Sequence, residues 1–259
     1  MQKITAEIIN FGNELLIGHT VNSNASFLGK QLTELGVHVQ RIIVLSDSFD
    51  DLKIGFKESL ARNPNIIIST GGLGPTWDDR TAQGLGLALD KSLITNEEAL
   101  SLIKDRYNKL KIPLNAAREK MADLPEGSEP LINTVGTAPG IKIIVDNTTI
   151  FCVPGVPAEM KAMFRNHIIK EIPQHEEKFF QHKFIVENVG ESSIAHISSY
   201  LTEKYPEIYI KSHPQFPKIQ FHITTFSSSE EIMNKLTDVV FYLREKISEA
   251  GGTIKEISD

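Results

Sequence analysis

The hydrophobic positions of the amino-terminal part of the chain fall into short apolar runs that alternate with segments of helical spacing. The apolar runs predict strands over Thr5 to Asn10, Val37 to Leu45, Ile66 to Thr70, Ile141 to Val145 and Thr149 to Val153. Helical spacing groups Ala25, Leu28, Leu32 and Leu35; Leu52, Phe56 and Leu60; Ala99, Leu100, Ile103, Tyr107 and Leu110; and Met160, Met163, Phe164 and Ile168. Strands that alternate with helices predict an α/β fold with a mostly parallel sheet covered on both faces.

Turn and capping residues agree with these boundaries. Gly36 follows the first helix, where a glycine commonly ends a helix. Asn96 is placed to cap the longer helix, and Pro157 suits the first position of the last one. Asp146-Asn147 fits a turn between the last two strands, which predicts that these two strands pair with each other.

The pattern changes near Pro173, where a polar segment predicts a linker. Beyond it we predict strands at Lys183 to Val189, Ile208 to Lys211, Ile219 to Phe226 and Thr253 to Ile257, and helices at Ser192 to Lys204 and Glu230 to Glu249. This order predicts a small α+β domain with an antiparallel sheet in a split βαβ arrangement. The predicted domains are residues 1–172 and 183–259, joined by a linker over 173–182.

Composition limits the classes of partner. The 259 residues are 41% hydrophobic and 23% charged, with a formal net charge of -6. An acidic total argues against non-specific binding to nucleic acid or to an anionic membrane. The apolar runs have the length of strands, and no signal peptide precedes the first of them, so we expect a cytoplasmic protein. The single cysteine, Cys152, excludes an internal disulfide and a thiolate metal cluster.

A glycine-rich loop carries the clearest chemistry. The run Ser69 to Thr81, STGGLGPTWDDRT, follows the apolar strand directly. Gly71, Gly72 and Gly74 let backbone N–H groups turn toward an anion, and a helix starting near Asp79 adds the positive end of its dipole. The adjacent carboxylates of this loop can hold a divalent cation or transfer a proton. The alternative is a tight turn in which Asp78 or Asp79 only caps the next helix.

The loop resembles the signature of the molybdopterin-binding (MoaB/Mog-like) fold, in the version carried by the CinA (competence/damage-inducible protein A) family. Further blocks that resemble this family are Gly12 to Gly18, Asn22 to Asn24, Asn133 to Gly140, Val153 to Met160 and Gly190 to Ser192. The likeness covers nearly the full chain, although Asn13 stands where family members often have Thr. It implies a three-layer MoaB/Mog-like domain followed by a small α+β domain. Many bacterial members continue into a nicotinamide mononucleotide amidase, and we expect no amidase activity here.

The resemblance places Asp79 beside a phosphate of the ligand. It also places a second acidic residue, Asp47, at an edge of the sheet. Because both follow carboxyl ends of predicted parallel strands, we expect them to meet in one crevice as catalytic residues. The alternative for Asp47 is a capping or turn role with its neighbouring serines. Two carboxylates would repel a diphosphate unless a divalent cation, Mg²⁺, Mn²⁺ or Co²⁺, lay between them. The candidate metal ligands are Asp47, Asp78, Asp79 and Glu14.

The residues predicted to contact the ligand belong to the glycine loop, to the end of the strand before it or to the other blocks of the resemblance. They are Gly12, Glu14, Asn22, Asn24, Thr70, Gly71, Gly72, Gly74, Pro75, Thr76, Thr81, Asn133 and Gly155. For Asn24, capping of the following helix is the stronger interpretation. Trp77 stacks on a ligand ring or packs locally. Arg80, Arg118 and Lys120 are candidate phosphate contacts, with solvated surface charge as the alternative.

The resemblance favours a metal-dependent enzyme that hydrolyses a nucleotide pyrophosphate bond, taking an ADP-ribose-like substrate to AMP and ribose 5-phosphate. The alternatives are molybdopterin binding or adenylyl transfer in molybdenum cofactor biosynthesis, and non-catalytic nucleotide binding. In each case the partner is a phosphorylated small molecule, a nucleotide or a pterin, and neither nucleic acid nor membrane is expected. The resemblance also implies a homo-oligomer.

Overall fold

The computed structural model describes residues 3–173 and 176–257. The chain divides into two compact units: among the described residues, the first holds 3–33 and 37–173, and the second holds 34–36 and 176–257. Residues 174 and 175, which belong to the predicted linker over 173–182, lie outside the described residues.

The first unit is built on one large sheet. Its strands are β1 (Thr5–Phe11), β2 (His38–Leu45), β3 (Ile66–Thr70), β4 (Leu93–Thr95), β5 (Asp123–Pro125), β6 (Glu129–Leu131), β7 (Gly140–Val145) and β8 (Thr148–Val153). The six-stranded sheet has the order β2-β1-β3-β8-β7-β6, and β4 and β5 form a separate antiparallel pair. Neighbours β2, β1, β3 and β8 are parallel, whereas β7 runs antiparallel to both β8 and β6. The sheet is therefore mostly parallel, as predicted.

The helices of this unit connect the strands. They are α1 (Asn13–Leu16), α2 (Ser23–Glu34), α3 (Phe49–Ala61), α4 (Thr81–Leu89), α5 (Glu97–Leu110), α6 (Ala116–Glu119), α7 (Pro157–Met163) and α8 (Ile169–Glu171). A 3₁₀ turn spans Lys120–Ala122, and a π-helical turn at Phe164–Ile168 links α7 to α8. Asn96 caps α5 by accepting a hydrogen bond from the Ala99 N–H at 2.9 Å, and Pro157 begins α7. The predicted cap of α5 and the predicted first residue of α7 are both confirmed.

Two hydrophobic cores lie on the two faces of the sheet. Strand β1 shows the division, because Ile9 and Phe11 belong to one core cluster whereas Ala6 and Ile8 belong to the other. Successive strand residues point to opposite faces, so alternate residues of one buried strand serve both cores. The unit thus has the three layers that the resemblance implied.

The chain reverses direction across the sheet at β1. From β1 it passes to β2 on one side, and then crosses to β3 on the other side. In parallel sheets such a reversal separates the loops that follow adjacent strands and leaves a crevice beyond the carboxyl ends of the strands. The loops after β1, β3 and β8 surround this crevice.

The second unit is a four-stranded antiparallel sheet with two helices. Its elements are β9 (Lys178–Glu187), α9 (Glu191–Lys204), β10 (Tyr209–Gln215), β11 (Lys218–Ser227), α10 (Glu230–Glu249) and β12 (Thr253–Glu256). The strand order β10-β11-β9-β12 is the split βαβ arrangement that the sequence predicts. In its core the rings of Phe184 and Phe221 stack with their centroids 5.3 Å apart.

Two strand boundaries differ from prediction by more than one or two residues. Strand β9 begins at Lys178 rather than at Lys183, and so occupies part of the predicted linker, because its first half, Lys178 to His182, pairs in continuous register with the end of β11. Strand β10 continues past Lys211 to Gln215 for the same reason, as it pairs with the first half of β11. Cross-strand hydrogen bonds therefore decide where these strands end. None of the helices in residues 3–173 and 176–257 has the length and hydrophobicity needed to span a bilayer.

Candidate functional site

A pocket of about 450 Å³ occupies the crevice at the carboxyl ends of the strands. Its walls come from the loops after β1, β2, β3 and β8 and from the loop before β7. The lining residues are Phe11, Gly12, Glu14, Asp47, Gly71, Gly72, Leu73, Gly74, Pro75, Asp78, Asp79, Thr137, Ala138, Pro154, Gly155, Val156 and Glu159. A pocket of this size is in the range of small-molecule sites.

The glycine loop forms one wall in a conformation that side chains oppose. Gly71 and Gly72 have φ angles of 104° and 65°. A Cβ on Gly71 would meet the Phe11 carbonyl oxygen, and a Cβ on Gly72 would meet the Thr81 hydroxyl. The Thr81 hydroxyl donates to the Gly71 carbonyl at 2.8 Å, and the Thr81 N–H donates to the Gly72 carbonyl at 3.0 Å. The first turn of α4 thus holds the loop against the end of the sheet.

Gly72→Ala is expected to destabilise the first unit by about 2–3 kcal/mol, because left-handed strain is joined by a steric clash with Thr81. The matched control is Gly18→Ala, since Gly18 has a similar φ of 72° with nothing within 4 Å of the added Cβ. Strain alone predicts a loss of about 1 kcal/mol there. Urea unfolding followed by the fluorescence of the single tryptophan measures both. Equal losses would show that the contact with Thr81 adds nothing.

Four of the carboxylates that line the pocket follow β1, β2 and β3. Glu14 follows β1, Asp47 follows β2, and Asp78 and Asp79 end the glycine loop. Asp47 Oδ2 accepts a hydrogen bond from the Asn13 N–H at 3.0 Å, so Asp47 holds the loop after β1, while Ser48 supplies the cap of α3. Burial, together with the negative charges of the other three carboxylates, raises the pKa of Asp47 against the opposing effect of the Asn13 N–H.

The two aspartates of the glycine loop organise its turn and do not cap α4. The helix begins at Thr81 with Arg80 as its cap residue, and no side chain makes a capping bond there. Asp79 Oδ2 instead accepts from the Thr76 N–H at 2.9 Å and from the Thr76 hydroxyl. The same hydroxyl bonds to Asp78 and lowers the pKa of that carboxyl. The capping alternative is therefore wrong.

The carboxylates do not form a complete metal cage. In the part of the chain that the structure describes, no group of three or more His, Cys, Asp or Glu side chains is arranged to hold a metal ion. Mg²⁺ is commonly held by one or two carboxylates together with waters and ligand phosphates. The donor set of oxygen atoms around Asp47 and Asp79 fits a cation that is shared with a bound phosphate in this way.

Of the two asparagines after α1, each a candidate for ligand contact or for capping, Asn22 rather than Asn24 caps the helix. Asn22 caps α2, because its Oδ1 accepts from the Ala25 N–H at 3.0 Å. Asn24 lies within the helix and donates from Nδ2 to the Gly155 carbonyl at 2.7 Å, while its buried Oδ1 has no hydrogen-bond partner among the described residues. Neither residue lines the pocket, but Asn24 fixes Gly155, which does.

The remaining predicted polar contacts support the pocket from behind. Thr70 accepts from the buried Asn10 amide at 2.6 Å, Thr76 binds Asp79, and Thr81 binds Gly71. Asn133 is buried and holds its own loop. These four residues, Thr70, Thr76, Thr81 and Asn133, are absent from the pocket walls, whereas Gly12, Pro75 and the loop glycines line them.

The aromatic and basic residues proposed around the site lie outside the pocket. Trp77 is 77% exposed and packs against the Arg80 guanidinium, which lies 5.2 Å from its ring centroid and 4.6 Å from that of Phe49. Arg118 lies over the Tyr107 ring. Local packing is therefore the observed role of these side chains. Lys120 comes nearest to the site, with Nζ 3.4 Å from the Asp79 carbonyl oxygen.

Glu159 lines the pocket and was not among the predicted site residues. It lies in the first turn of α7, where an acidic residue is explained by the helix dipole alone. Its Oε2 accepts from the Asn133 amide at 2.6 Å. Asn133 is distant in sequence and gives no local signal, so the position of Glu159 shortly after the Pro154-Gly155 turn is the sequence feature that could indicate that it lines the pocket.

This architecture, with a glycine loop and carboxylates at the ends of parallel strands, is that of a molybdopterin-binding domain of the MoaB/Mog type. Residues 7–174 match the family described as "Probable molybdopterin binding domain", and the chain belongs to that family. More narrowly, it is a member of the CinA group: the CinA protein of Thermoplasma acidophilum, described as having unknown function, is 38% identical with a TM-score of 0.62, over 66% of this chain and 99% of that one.

Two further matches extend the comparison. A protein of Sulfurisphaera tokodaii is 42% identical over 256 residues, which cover 96% of this chain and 97% of the relative. MoaB of Thermus thermophilus, described as a molybdopterin biosynthesis enzyme, is 16% identical with a TM-score of 0.45, over 66% of this chain and 92% of that one.

Proposed function

We propose that the pocket binds a phosphorylated pterin of the molybdopterin type. The observation that carries the proposal is the match of residues 7–174 to the molybdopterin-binding family, on a chain whose glycine loop and carboxylates share one pocket. In this arrangement the backbone N–H groups from Gly72 to Gly74 bind the phosphate, because glycines place no Cβ in front of them. The N–H of Gly71 donates to the Val153 carbonyl at 3.0 Å and holds the loop against β8.

A cation is required for a phosphate to enter this pocket. Glu14, Asp47, Asp78 and Asp79 all line the pocket, and burial together with the charges of the other three carboxylates raises the pKa of Asp47. Asp47 and Asp79 would hold a divalent metal, which when bound neutralises the charge of the phosphate and polarises its P–O bonds. The Asn13 and Thr76 N–H groups keep these two carboxylates in place.

A second candidate function is hydrolysis of a nucleotide pyrophosphate bond, with an ADP-ribose-like substrate giving AMP and ribose 5-phosphate. The position of Asp47 favours it, because this carboxylate lines the pocket and could act as a general base toward a water in it. In this reaction Asp47 would orient the attacking water and take its proton. The glycine loop would hold the phosphate that leaves.

One comparison separates the two functions. Metal-stripped protein is mixed anaerobically with molybdopterin released from a molybdoenzyme, with and without added Mg²⁺, and pterin retained after gel filtration is measured by fluorescence of its oxidised form. A parallel sample receives ADP-ribose with Mg²⁺, Mn²⁺ or Co²⁺, and AMP is followed by chromatography. We expect metal-dependent retention of pterin. AMP formation without retention would favour the hydrolase, and neither result with any metal would refute both.

A further inference from the structure

Glu159 is held rigidly at the pocket wall. Its Oε2 accepts from Asn133 Nδ2 at 2.6 Å, and its carboxylate lies so close to Gly136 that a Cβ on that glycine would overlap it. Asn133 Oδ1 accepts from the N–H groups of Val135, at 3.1 Å, and of Gly136, at 2.7 Å. Arg106 Nε donates to the Gly136 carbonyl at 2.8 Å. The carboxylate therefore has a fixed position.

Glu159 is distinct from the carboxylates of the metal and phosphate region. Glu159 comes to the pocket from the first turn of α7, whereas Asp47 and the carboxylates near it come from the loops after β1, β2 and β3. It nevertheless lines the same pocket. A ligand whose phosphate is bound by the glycine loop thus meets Glu159 with another part of its structure.

A carboxylate only accepts hydrogen bonds, and it offers about four acceptor positions. Asn133 uses one of them, which leaves both oxygens able to accept from a ligand. Pterin and guanine present a ring N–H beside an exocyclic amino group, so two adjacent donors match the two oxygens. Adenine presents a donor beside an acceptor, and its acceptor would face a carboxylate oxygen unfavourably.

We propose that Glu159 is a specificity-determining residue that binds the 2-amino-4-oxo edge of the ligand ring and selects pterin or guanine over adenine. This inference rests on the proposed binding of a phosphorylated ligand in the same pocket. A site built to hydrogen-bond particular groups discriminates against analogues that lack them, and the half-buried Glu159 carboxylate would face the ring acceptor of adenine without a hydrogen bond.

Calorimetric titration with GMP, AMP, a pterin monophosphate and inorganic pyrophosphate, all with Mg²⁺, tests the proposal. We expect the wild-type protein to bind GMP and the pterin at least roughly tenfold more tightly than AMP. Glu159→Gln retains an acceptor for Asn133 but places a donor against the ring edge, so the preference should fall by roughly tenfold or more while pyrophosphate binding is unchanged. Glu126→Gln, which changes an exposed carboxylate outside the pocket, is the matched control.

A second variant displaces the carboxylate without removing it. Gly136→Ala introduces a Cβ that overlaps Glu159, and it should also reduce the preference. If wild-type protein binds pyrophosphate but does not distinguish GMP from AMP, or if Glu159→Gln retains the preference, the role of Glu159 is refuted and the pocket assignment stands. If pyrophosphate does not bind wild-type protein at all, the proposed function itself is refuted.

Discussion

Glu7→Gln is expected to lower the free energy of unfolding of the first unit by about 3 kcal/mol. Glu7 is fully buried in β1, and its carboxylate is bound by three donors. Arg62 Nε and Nη2 donate at 2.7 and 2.8 Å, and the Ser59 hydroxyl donates at 2.7 Å. Removing the charge leaves the guanidinium of Arg62 without its buried partner, which is the costly way to break such a pair.

The pH dependence of this loss identifies its cause. Burial alone would raise the pKa of Glu7, but the hydrogen bonds from Arg62 and Ser59 and the charges of Arg62 and Arg41 lower it overall. A carboxyl whose pKa is lower in the folded state stabilises the protein above its unfolded pKa, and this contribution is lost as the pH falls through the folded value. The stability difference between wild-type protein and Glu7→Gln should therefore shrink below about pH 4.

Urea unfolding at about pH 7 and about pH 3, on either side of the ordinary glutamate pKa, measures these differences. The fluorescence of Trp77 reports on the first unit, because the single tryptophan lies there. Glu58→Gln is the control. Its carboxylate also faces Arg62, at 3.9 Å, but is 65% exposed, and it should cost no more than about 0.5 kcal/mol. A loss in Glu7→Gln that is independent of pH would show that the buried ion pair is not its source.

The sequence predicts strands β1, β2, β3, β7 and β8 of the first unit because burial dictates their composition, whereas it misses the three-residue strands β4, β5 and β6. Every residue of Ile66–Thr70 is buried, so the apolar run and the strand coincide. In the second unit the first half of β9 mixes Phe179 and Phe180 with polar residues and has no fully buried position, so its pairing with β11 makes it a strand. A pattern of side chains cannot reveal a boundary that is decided by backbone hydrogen bonds to a distant strand.

The parts of the candidate site that directly follow recognisable strands can also be predicted from the sequence. The glycine loop and Asp47 follow strands that the sequence identifies, so their meeting at one sheet edge is a matter of topology. The roles of Asn22 and Asn24 depend on where α2 begins, and a small shift of that boundary exchanges the capping and the supporting amide. Glu159 joins the pocket only through the fold, because its partner Asn133 belongs to another loop.

Asp79→Asn is expected to weaken Mg²⁺-dependent binding of pyrophosphate by roughly 100-fold, and to lower any AMP release from ADP-ribose by a similar factor. The asparagine oxygen can still accept from the Thr76 N–H, so the turn is retained. What the variant removes is a negative charge beside Gly74, where a Cβ would lie 2.5 Å from Asp79 Oδ2. The Asp79 carboxylate lies against the glycine loop, so a cation held by it would also contact a phosphate bound to that loop.

Asp78→Asn separates charge from loop structure. Asp78 also bonds to the Thr76 hydroxyl, but its side chain is exposed and makes no bond to the Thr76 N–H among the contacts described. We expect it to weaken binding by about tenfold or less, in keeping with a more solvated carboxylate. Equal losses in the two variants would assign the effect to the Thr76 turn. If Asp79→Asn binds pyrophosphate and turns over fully at saturating Mg²⁺, Asp79 is not a metal ligand. Asp47, whose pKa is raised by burial and by its acidic neighbours, is then the next carboxylate to test.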